Sequence, residues 1–184
     1  MATPTIAIRP AHTGDFHRVR GLLISSYIEY RDCLPAELFA AYLVDLVDLE
    51  RRQDLGEILV AEHNGAIVGT ATFYPDATED GTGWPATASS IRAVAVRPAM
   101  RGLGIGGALL DVCLGRAQRR GSAQMCLHTA PFMEAAIRLY ESIGFVRVPA
   151  FDVDLTKRIT GATSGQLTIA AYALDLTSTS VSAA

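Results

Sequence analysis

The chain has 184 residues, of which 49% are hydrophobic and 19% are charged, and its formal net charge is −3. A chain of this length can bury one ordinary core without disulfides or a structural metal. The slight acidic excess and the lack of a Lys/Arg tract argue against a nucleic-acid partner, and every apolar stretch ends before the roughly 20 residues that a membrane span requires.

The cysteines indicate reduced thiols, and the two ends of the sequence indicate where the protein is located and where its domain ends. Cys33, Cys113 and Cys126 are odd in number and lack the paired spacing of a zinc site, so we expect reduced, mostly buried thiols and no metal. The N-terminal segment lacks the basic start and apolar core of a secretory signal, which favours the cytoplasm. We expect one domain over residues 1–176 and a frayed tail over residues 177–184.

The first third of the chain predicts one strand followed by helices. Residues 6–9 form the predicted strand, and a helix opens after it at Gly14-Asp15, because apolar residues recur at helical spacing at Phe16, Val19, Leu22 and Leu23. A second helix, entered through Pro35, is predicted from Leu38, Ala41, Tyr42, Leu46 and Leu49.

The next segment predicts a hairpin and a loop. Two strands, residues 57–63 and 66–74, flank Asn64-Gly65, the preferred pair for a two-residue turn because both positions need a positive φ. Residues 75–88 are rich in Gly, Pro and Thr, and we expect them to form an exposed loop.

A strand-helix-strand unit follows in the centre of the chain. The strands are residues 90–96 and 124–129, and the helix between them carries on one face Ile105, Leu109, Leu110 and Cys113. Such a unit crosses over right-handed and pairs its strands in parallel. A helix at about 132–143, closed by Gly144, and strands near 145–155 and 166–176 complete a mixed α/β sheet covered by helices.

A glycine-rich segment, residues 101–107, lies between that strand and that helix and holds four of the 16 glycines. Glycine lets successive backbone N–H groups turn toward one anion, and the N-terminus of the following helix adds about half a positive charge. The segment therefore predicts a loop that binds a phosphate or pyrophosphate.

Three alternatives explain this loop less well. A P-loop needs a lysine after its last glycine, where this chain has Ala108. The spacing GxGxxG of dinucleotide-binding folds is present, but residues 97–101 separate it from the strand, and residues 127–129 lack the expected ribose-binding acid. A loop that only turns the chain does not need four glycines in seven residues.

Two motifs resemble a known family. The run IRAVAVRPAMRGLGIGGALL contains Arg101, Gly104 and Gly106 at the spacing R/Q-x-x-G-x-G/A, and the run AAIRLYESIGF follows with Tyr140 and Gly144-Phe145. Together they resemble the GNAT superfamily of N-acetyltransferases over residues 90–155. The resemblance implies a mixed, mostly antiparallel central sheet with a splayed pair of parallel strands and flanking helices.

The resemblance also implies acetyl-CoA as the acyl donor. Backbone groups of Val94, Ala95 and Val96 would lie along the pantetheine arm. The pyrophosphate would be bound by the amides of the loop, namely Arg101, Gly102, Leu103, Gly104, Ile105, Gly106 and Gly107.

Catalytic residues are indicated less completely. Tyr140 matches the family's tyrosine near the CoA sulfur and would donate a proton to the leaving thiolate; the alternative is an aromatic ring that only fills the helix end. Many members have a glutamate base on the central strand, but Ser89, Ser90 and Arg92 stand there. Candidate carboxylates elsewhere are Glu29, Asp32, Glu57 and Asp152, each of which could instead be a solvated surface charge, and a bound water chain is an equal alternative. His128 is a further candidate, which could instead be a strand-end histidine near solvent.

We therefore expect an enzyme that transfers an acetyl group to a primary amine of a small molecule or peptide by direct attack in a ternary complex. The alternative is a non-catalytic acyl-CoA sensor. The N-terminal helices and the loops at 31–36, 75–88 and 156–164 would select the acceptor. A homodimer through the final strands is compatible with the sequence, although nothing in it requires one.

Overall fold

A computed structural model describes residues 6–161 and 167–177 of the chain. These residues form two compact units, the first from residues 6–73 and 93–112 and the second from residues 74–92, 113–161 and 167–177. The single domain expected over residues 1–176 stays a prediction. Apart from Thr177, the expected tail lies outside the described residues.

The first unit opens with strand β1 (Ala7–Pro10) and helix α1 (Phe16–Tyr27). The four apolar residues that predicted α1 are all buried, which confirms the helix. Asp15 precedes the helix, and its Oδ2 accepts hydrogen bonds from Arg9 Nη1 (2.7 Å) and His12 N (3.0 Å). The Arg9 hydrogen bond is the main reason that the pKa of Asp15 lies well below its usual range, so this carboxylate stays charged and fixes the start of α1 against β1.

The second predicted helix is two helices. Helix α2 spans Ala36–Val47, and Leu49, which we expected in the same helix, opens α3 (Leu49–Leu55). Asp48 interrupts them with a non-helical ψ of 77°, and its side chain accepts a hydrogen bond from Arg51 N (3.2 Å). Aspartate is a preferred N-cap residue, so Asp48 was the sequence signal for this break.

The predicted hairpin is confirmed. Strands β2 (Glu57–His63) and β3 (Ala66–Tyr74) pair antiparallel around Asn64 and Gly65, whose φ values are 49° and 75°. β1 pairs antiparallel with β2 on the other side, and the strand order in the first unit is β1-β2-β3, followed by the strand Ala88–Val96, which we call β4.

Strand β4 (Ala88–Val96) and helix α4 (Ile105–Arg120) each run from one unit into the other. The four apolar residues that predicted α4 are buried. Within the first unit, a Cβ at Gly69 of β3 would lie 2.9 Å from Ile105 and 3.1 Å from Leu109. Only glycine fits there, and α4 can therefore pack directly against the β3 backbone.

The second unit contains the single parallel pair described in the sheet. The first half of β4 pairs in parallel with β5 (Gln124–Thr129), from Ala88↔Gln124 to Ile91↔Leu127. β5 pairs antiparallel with β8 (Thr168–Asp175), and β8 pairs in turn with the short strand β6 (Val146–Arg147), so that the order is β4-β5-β8-β6. Helix α5 (Glu134–Ile143) ends at Gly144 with φ 107°, as predicted. The mixed, mostly antiparallel α/β fold with flanking helices is thus confirmed.

The predicted strand near 145–155 is wrong in extent. It is two short strands, β6 (Val146–Arg147) and β7 (Val153–Asp154), which both pair antiparallel with β8. Pro149 begins a turn between them and has no N–H for a sheet ladder. A short helix, α6 (Leu155–Thr160), occupies most of the described part of the loop expected at 156–164.

The prediction that residues 75–88 form an exposed loop is right in that a loop joins β3 to β4, but it is wrong in part about exposure. Asp80 and Trp84 are each only 2% exposed, and Trp84 packs with Ala77 against small residues of the sheet, Ala88, Cys126, Ala171 and Ala173. The turn-forming composition correctly indicates that the segment is not a strand, but the segment also contains a tryptophan that covers one face of the sheet. None of the described helices could cross a bilayer, and the longest, α4, has 16 residues.

Candidate functional site

The glycine loop begins where β4 ends. Arg97 ties this point to β3, since its backbone N–H donates to Val68 O (2.8 Å) and its Nη2 donates to Ile67 O (3.0 Å). One helical turn at Pro98–Met100 follows, closed by a hydrogen bond from Arg101 N to Pro98 O (3.3 Å). The amide of Arg101, one of those predicted to bind an anion, is therefore used inside the loop.

The remaining amides lie at an open helix N-terminus. Gly102 and Gly104 both have φ 79°, and a Cβ placed at either of them or at Gly107 would meet no described atom within 4 Å. Ala108 N donates to Gly104 O (3.0 Å), so the N–H groups of residues 105–107 precede the helical hydrogen bonds. Free amides and the positive end of a 16-residue helix form a cradle suited to a phosphate group.

The side chain of Arg101 points away from this cradle toward α1. Its Nη2 and Nη1 donate to Glu29 Oε1 (2.6 Å) and Oε2 (2.9 Å), and Nη2 also donates to Ser26 O (3.3 Å). This hydrogen bonding holds the pKa of Glu29 below its usual range, so the carboxylate is charged at neutral pH. The ion pair links the end of α1 to the start of the loop, 72 residues away in sequence.

The end of α1 also contacts the carbonyl groups of β4. Tyr27 OH donates to Val94 O (3.4 Å), and Ser26 Oγ donates to Val96 O (3.3 Å). Arg97 N–H faces β3, and alternation along the strand turns the backbone groups of Val94 and Val96 to the opposite edge. Val96 O also accepts a hydrogen bond from Arg101 Nε (3.4 Å), so Val94 O is the one of these two carbonyls that keeps a lone pair for an extended ligand along the predicted segment Val94-Ala95-Val96.

Ala93 sets the direction of this last part of β4. Its φ of 53° is one of two positive values among the described non-glycine residues. A left-handed residue inside a strand bends the chain locally and usually marks a bulge. No sequence signal pointed to it, because alanine is not a residue that favours this conformation.

Tyr140 lies in the second unit, in the last part of α5. It is 6% exposed, its ring centroid is 6.0 Å from that of Phe145, and its carbonyl accepts a hydrogen bond from Phe145 N (3.1 Å). The ring therefore packs at the helix end, as the alternative from the sequence had it. Packing of the ring is compatible with a chemical role for the hydroxyl, which stays a prediction.

The carboxylates considered as bases are mostly engaged elsewhere. Glu29 pairs with Arg101, and Asp32 is exposed beside Arg31 (3.4 Å). Asp152 pairs with Arg147 through two hydrogen bonds (2.5 and 2.8 Å), which lower the pKa of Asp152. A carboxylate with a lowered pKa is a weaker base, so neither Glu29 nor Asp152 is favoured by its surroundings.

His128 is half-buried near the end of β5, which agrees with the strand-end histidine near solvent that the sequence left as its alternative. Its Nε2 lies 2.8 Å from Phe151 O, and its ring centroid is 5.3 Å from that of Trp84. Burial lowers the pKa of His128, although the Phe151 hydrogen bond and the charge of Asp80 oppose that change. The imidazole is therefore neutral at pH 7 and offers a lone pair.

The thiols do not indicate covalent catalysis. Cys113 and Cys126 are buried as expected, whereas Cys33 is exposed. Burial is the main cause that raises the pKa of Cys126 to about 12, so this thiol stays protonated and is a poor nucleophile.

Comparison with known proteins indicates the same family as the two sequence motifs. The family model described as "Acetyltransferase (GNAT) family" matches residues 17–145. A mycothiol acetyltransferase of Thermobispora bispora is 36% identical over 107 residues, which cover 55% of this chain and 36% of that protein. An L-methionine sulfoximine/L-methionine sulfone acetyltransferase of Salmonella typhimurium is 37% identical over 97 residues, covering 52% of this chain and 54% of that protein. The chain thus spans about half or less of the length of these relatives.

The same fold occurs in solved structures. The PaiA N-acetyltransferase of Thermoplasma acidophilum, in complex with coenzyme A, matches with a TM-score of 0.67 at 14% identity. The match covers 91% of this chain and 98% of that protein. At this identity the likeness is one of fold.

Proposed function

The chain belongs to the GNAT family of acetyltransferases, and we propose that it moves an acetyl group from acetyl-CoA to a primary amine of a small molecule or peptide. One observation carries the proposal: the family match includes the open glycine loop at the N-terminus of α4, whose amides suit the pyrophosphate of coenzyme A. The relative that acts on L-methionine sulfoximine and L-methionine sulfone supports a small acceptor with an amino group.

In this proposal the amides of residues 102–107 bind the pyrophosphate, and the backbone of residues 94–96 lies along the pantetheine arm. These groups are backbone groups on a strand and a helix end, so they are held in place before the ligand arrives. Acetyl-CoA would then be oriented without the loss of many side-chain rotamers, which favours tight and specific binding.

Direct attack by the amine requires three proton transfers. An alkyl ammonium with a pKa near 10.4 must lose a proton before its nitrogen can attack the thioester carbon. As the C–N bond forms and the C–S bond breaks, the nitrogen loses a second proton and the thiolate gains one. We assign the Tyr140 hydroxyl as the donor of the proton that the thiolate gains, and solvent then reprotonates the tyrosinate. The net products are one acetamide, one free CoA and one proton.

The proposal predicts that free thiol appears when the protein is mixed with acetyl-CoA and a suitable amine. We expect a thiol-reactive dye to report turnover with at least one member of a panel of amino acids, amino sugars, polyamines and peptides. Calorimetry with acetyl-CoA alone serves as the matching binding measurement. Tight binding of acetyl-CoA without thiol release from any amine would instead support the sensor.

Glu29→Gln tests the ion pair that links α1 to the loop. It keeps the shape of the side chain but removes the charge that Arg101 contacts. We expect the KM for acetyl-CoA to rise about threefold to fivefold with kcat unchanged, because a partly exposed ion pair contributes up to about 1 kcal/mol. The pair is intact at an assay pH of 7, because the pKa of Glu29 is lowered from 4.5, and it is lost only as the pH falls below that value.

Glu50→Gln is the matched control, because it breaks an exposed pair between Glu50 and Arg20 of the same kind (2.5 Å) outside the loop. It should leave both constants unchanged. A lower KM in Glu29→Gln would show that Glu29 competes with the cofactor for Arg101 rather than positioning the loop.

A further inference from the structure

One face of the sheet in the second unit carries polar groups that the proposed chemistry has not used. Ser90 of β4 is paired with Cys126 of β5, and alternation along β5 places His128 on the same face. The buried loop that contains Asp80 and Trp84 covers this face, and Trp84 stacks on Phe151 at a ring distance of 4.3 Å. We call Asp80, Trp84, Ser90 and His128 the Asp80 cluster.

Three atoms of this cluster are buried without a hydrogen-bond partner among the described residues: Asp80 Oδ2, Trp84 Nε1 and Ser90 Oγ. Asp80 and Trp84 are 2% exposed, and Ser90 is 0% exposed. The other oxygen of Asp80 is satisfied, since Thr82 donates to it from N (2.9 Å) and from Oγ1. Buried polar atoms are nearly always paired, so three such atoms on the loop and on the sheet face that it covers suggest that a partner from outside completes them.

His128 adds a fourth group. Phe151 O can only accept a hydrogen bond, so Nε2 of His128 carries the proton and Nδ1 keeps its lone pair. Asp80 ends the helical turn Ala77–Asp80, and Ala77 at the start of that turn packs with Trp84 against Cys126. In keeping with this placement, the charge of Asp80 raises the pKa of both His128 and Cys126. Arg92 and Arg158 are cations whose charges lower the pKa of His128, and the charge of His128 lowers the pKa of Asp152. Arg158 Nη2 also donates to the backbone oxygen of Asp80 (2.6 Å), which leaves the Asp80 carboxylate oxygen Oδ2 unpaired. His128 is half-buried, so the cluster reaches the surface there.

We propose that the Asp80 cluster binds the acceptor, with its ammonium group at Asp80 Oδ2, Ser90 Oγ and His128 Nδ1. An ammonium has three N–H donors and one positive charge, which match three acceptors and one carboxylate, and the Trp84 ring adds a cation–π surface. The unpaired N–H of Trp84 further calls for an oxygen beside the amine, as in amino alcohols and amino-acid derivatives. This inference rests on the proposed function, because it assigns the acceptor of that reaction.

The single tryptophan of the chain provides a direct measurement. Trp84 is part of the cluster, so its emission should change in a saturable way when an amine binds to the full chain without acetyl-CoA. Three probes share a phenyl group: phenylalaninol, 2-phenylethylamine and 3-phenyl-1-propanol. We expect phenylalaninol to bind most tightly, 2-phenylethylamine several-fold more weakly, and the alcohol at least 10-fold more weakly than the amine. Equal binding of the alcohol and the amine would overturn the site.

Asp80→Asn removes the charge and should weaken phenylalaninol binding at least 10-fold. The matched control is Asp76→Asn in the same loop. Asp76 Oδ1 accepts hydrogen bonds from Thr78 N (2.9 Å) and Thr78 Oγ1 (2.7 Å), just as Asp80 Oδ1 does from Thr82, but the bonds of Asp76 lie at the surface. The control should bind like the wild type. Because Asp80→Asn removes a buried charge whose Oδ2 atom has no hydrogen-bond partner, the variant should unfold at the same or a higher temperature.

A lower unfolding temperature together with unchanged phenylalaninol affinity would make Asp80 a structural residue and overturn the inference. If Asp80→Asn does not fold, Ser90→Ala tests the same site, with an expected threefold or greater loss of affinity. The two proposals fail differently. Turnover with wild-type amine KM in Asp80→Asn would remove this site and keep the enzyme, whereas saturable Trp84 emission without turnover for any amine would keep the site and remove the enzyme.

Discussion

Replacing Gly104 with glutamate is expected to weaken acetyl-CoA binding by at least about 100-fold, which corresponds to about 2.7 kcal/mol. Two effects add. Gly104 has φ 79°, a conformation that costs a residue with a side chain about 1–2 kcal/mol. The new carboxylate would also lie at the N-terminus of α4, where it would take the place of the phosphate and repel its charge. Calorimetric titration with acetyl-CoA measures the change.

Gly65→Glu is the control for this substitution. Gly65 has a similar φ of 75° and equally open surroundings, but it lies in the β2–β3 turn. Both variants should lose similar stability, and only Gly104→Glu should lose affinity. Gly104→Ala separates the two effects because it carries the backbone cost without the charge. Wild-type affinity in Gly104→Glu would remove the loop from the cofactor site.

Tyr140→Phe is expected to lower kcat by about 100-fold, at the lower end of what a positioned acid or base contributes. The phenyl ring keeps the packing against Phe145, so the KM for acetyl-CoA should change less than about twofold. Single-turnover measurements of thiol release would show whether the loss lies in the chemical step, and thermal unfolding would report any loss of stability from the missing hydroxyl, which is about 1 kcal/mol.

Tyr172→Phe provides the comparison. Tyr172 is another tyrosine of the second unit at 6% exposure, and its hydroxyl donates to Glu141 (3.4 Å). Removing that hydroxyl should cost similar stability and leave kcat intact. If both variants lose the same activity, or if Tyr140→Phe loses none, Tyr140 is a packing residue and the proton comes from elsewhere.

Local signals in the sequence predicted most of the fold. The Asn64-Gly65 turn and the spacing of apolar residues in α1 and α4 depend on residues close in sequence, and each was confirmed. The failures also have local causes. Asp48 competes with a helix that its neighbours favour, and Pro149 interrupts a strand whose flanking residues are apolar. In both places a single capping or turn residue outweighs the propensity of its surroundings.

The candidate site was predictable only in part. The glycine loop is continuous in sequence, and its positive φ values follow from its glycines. The contact of Arg101 with Glu29 joins residues far apart in the chain, so no pattern within one segment could reveal it. Trp84 was missed for another reason: its neighbours are turn-forming residues, although a tryptophan is seldom left in solvent.

Gly69 of β3 affects the binding of the proposed cofactor, although it lies outside the glycine loop. The N-terminus of α4 carries the amides of the anion cradle, and the height of that helix above the sheet depends on the absence of a side chain at this position. A fixed height matters because hydrogen bonds to a phosphate weaken steeply with distance and angle. The affinity of the loop for a phosphate therefore depends partly on how closely α4 packs against β3. Relatives with the same loop could differ in their affinity for the same cofactor because their residues in β3 differ.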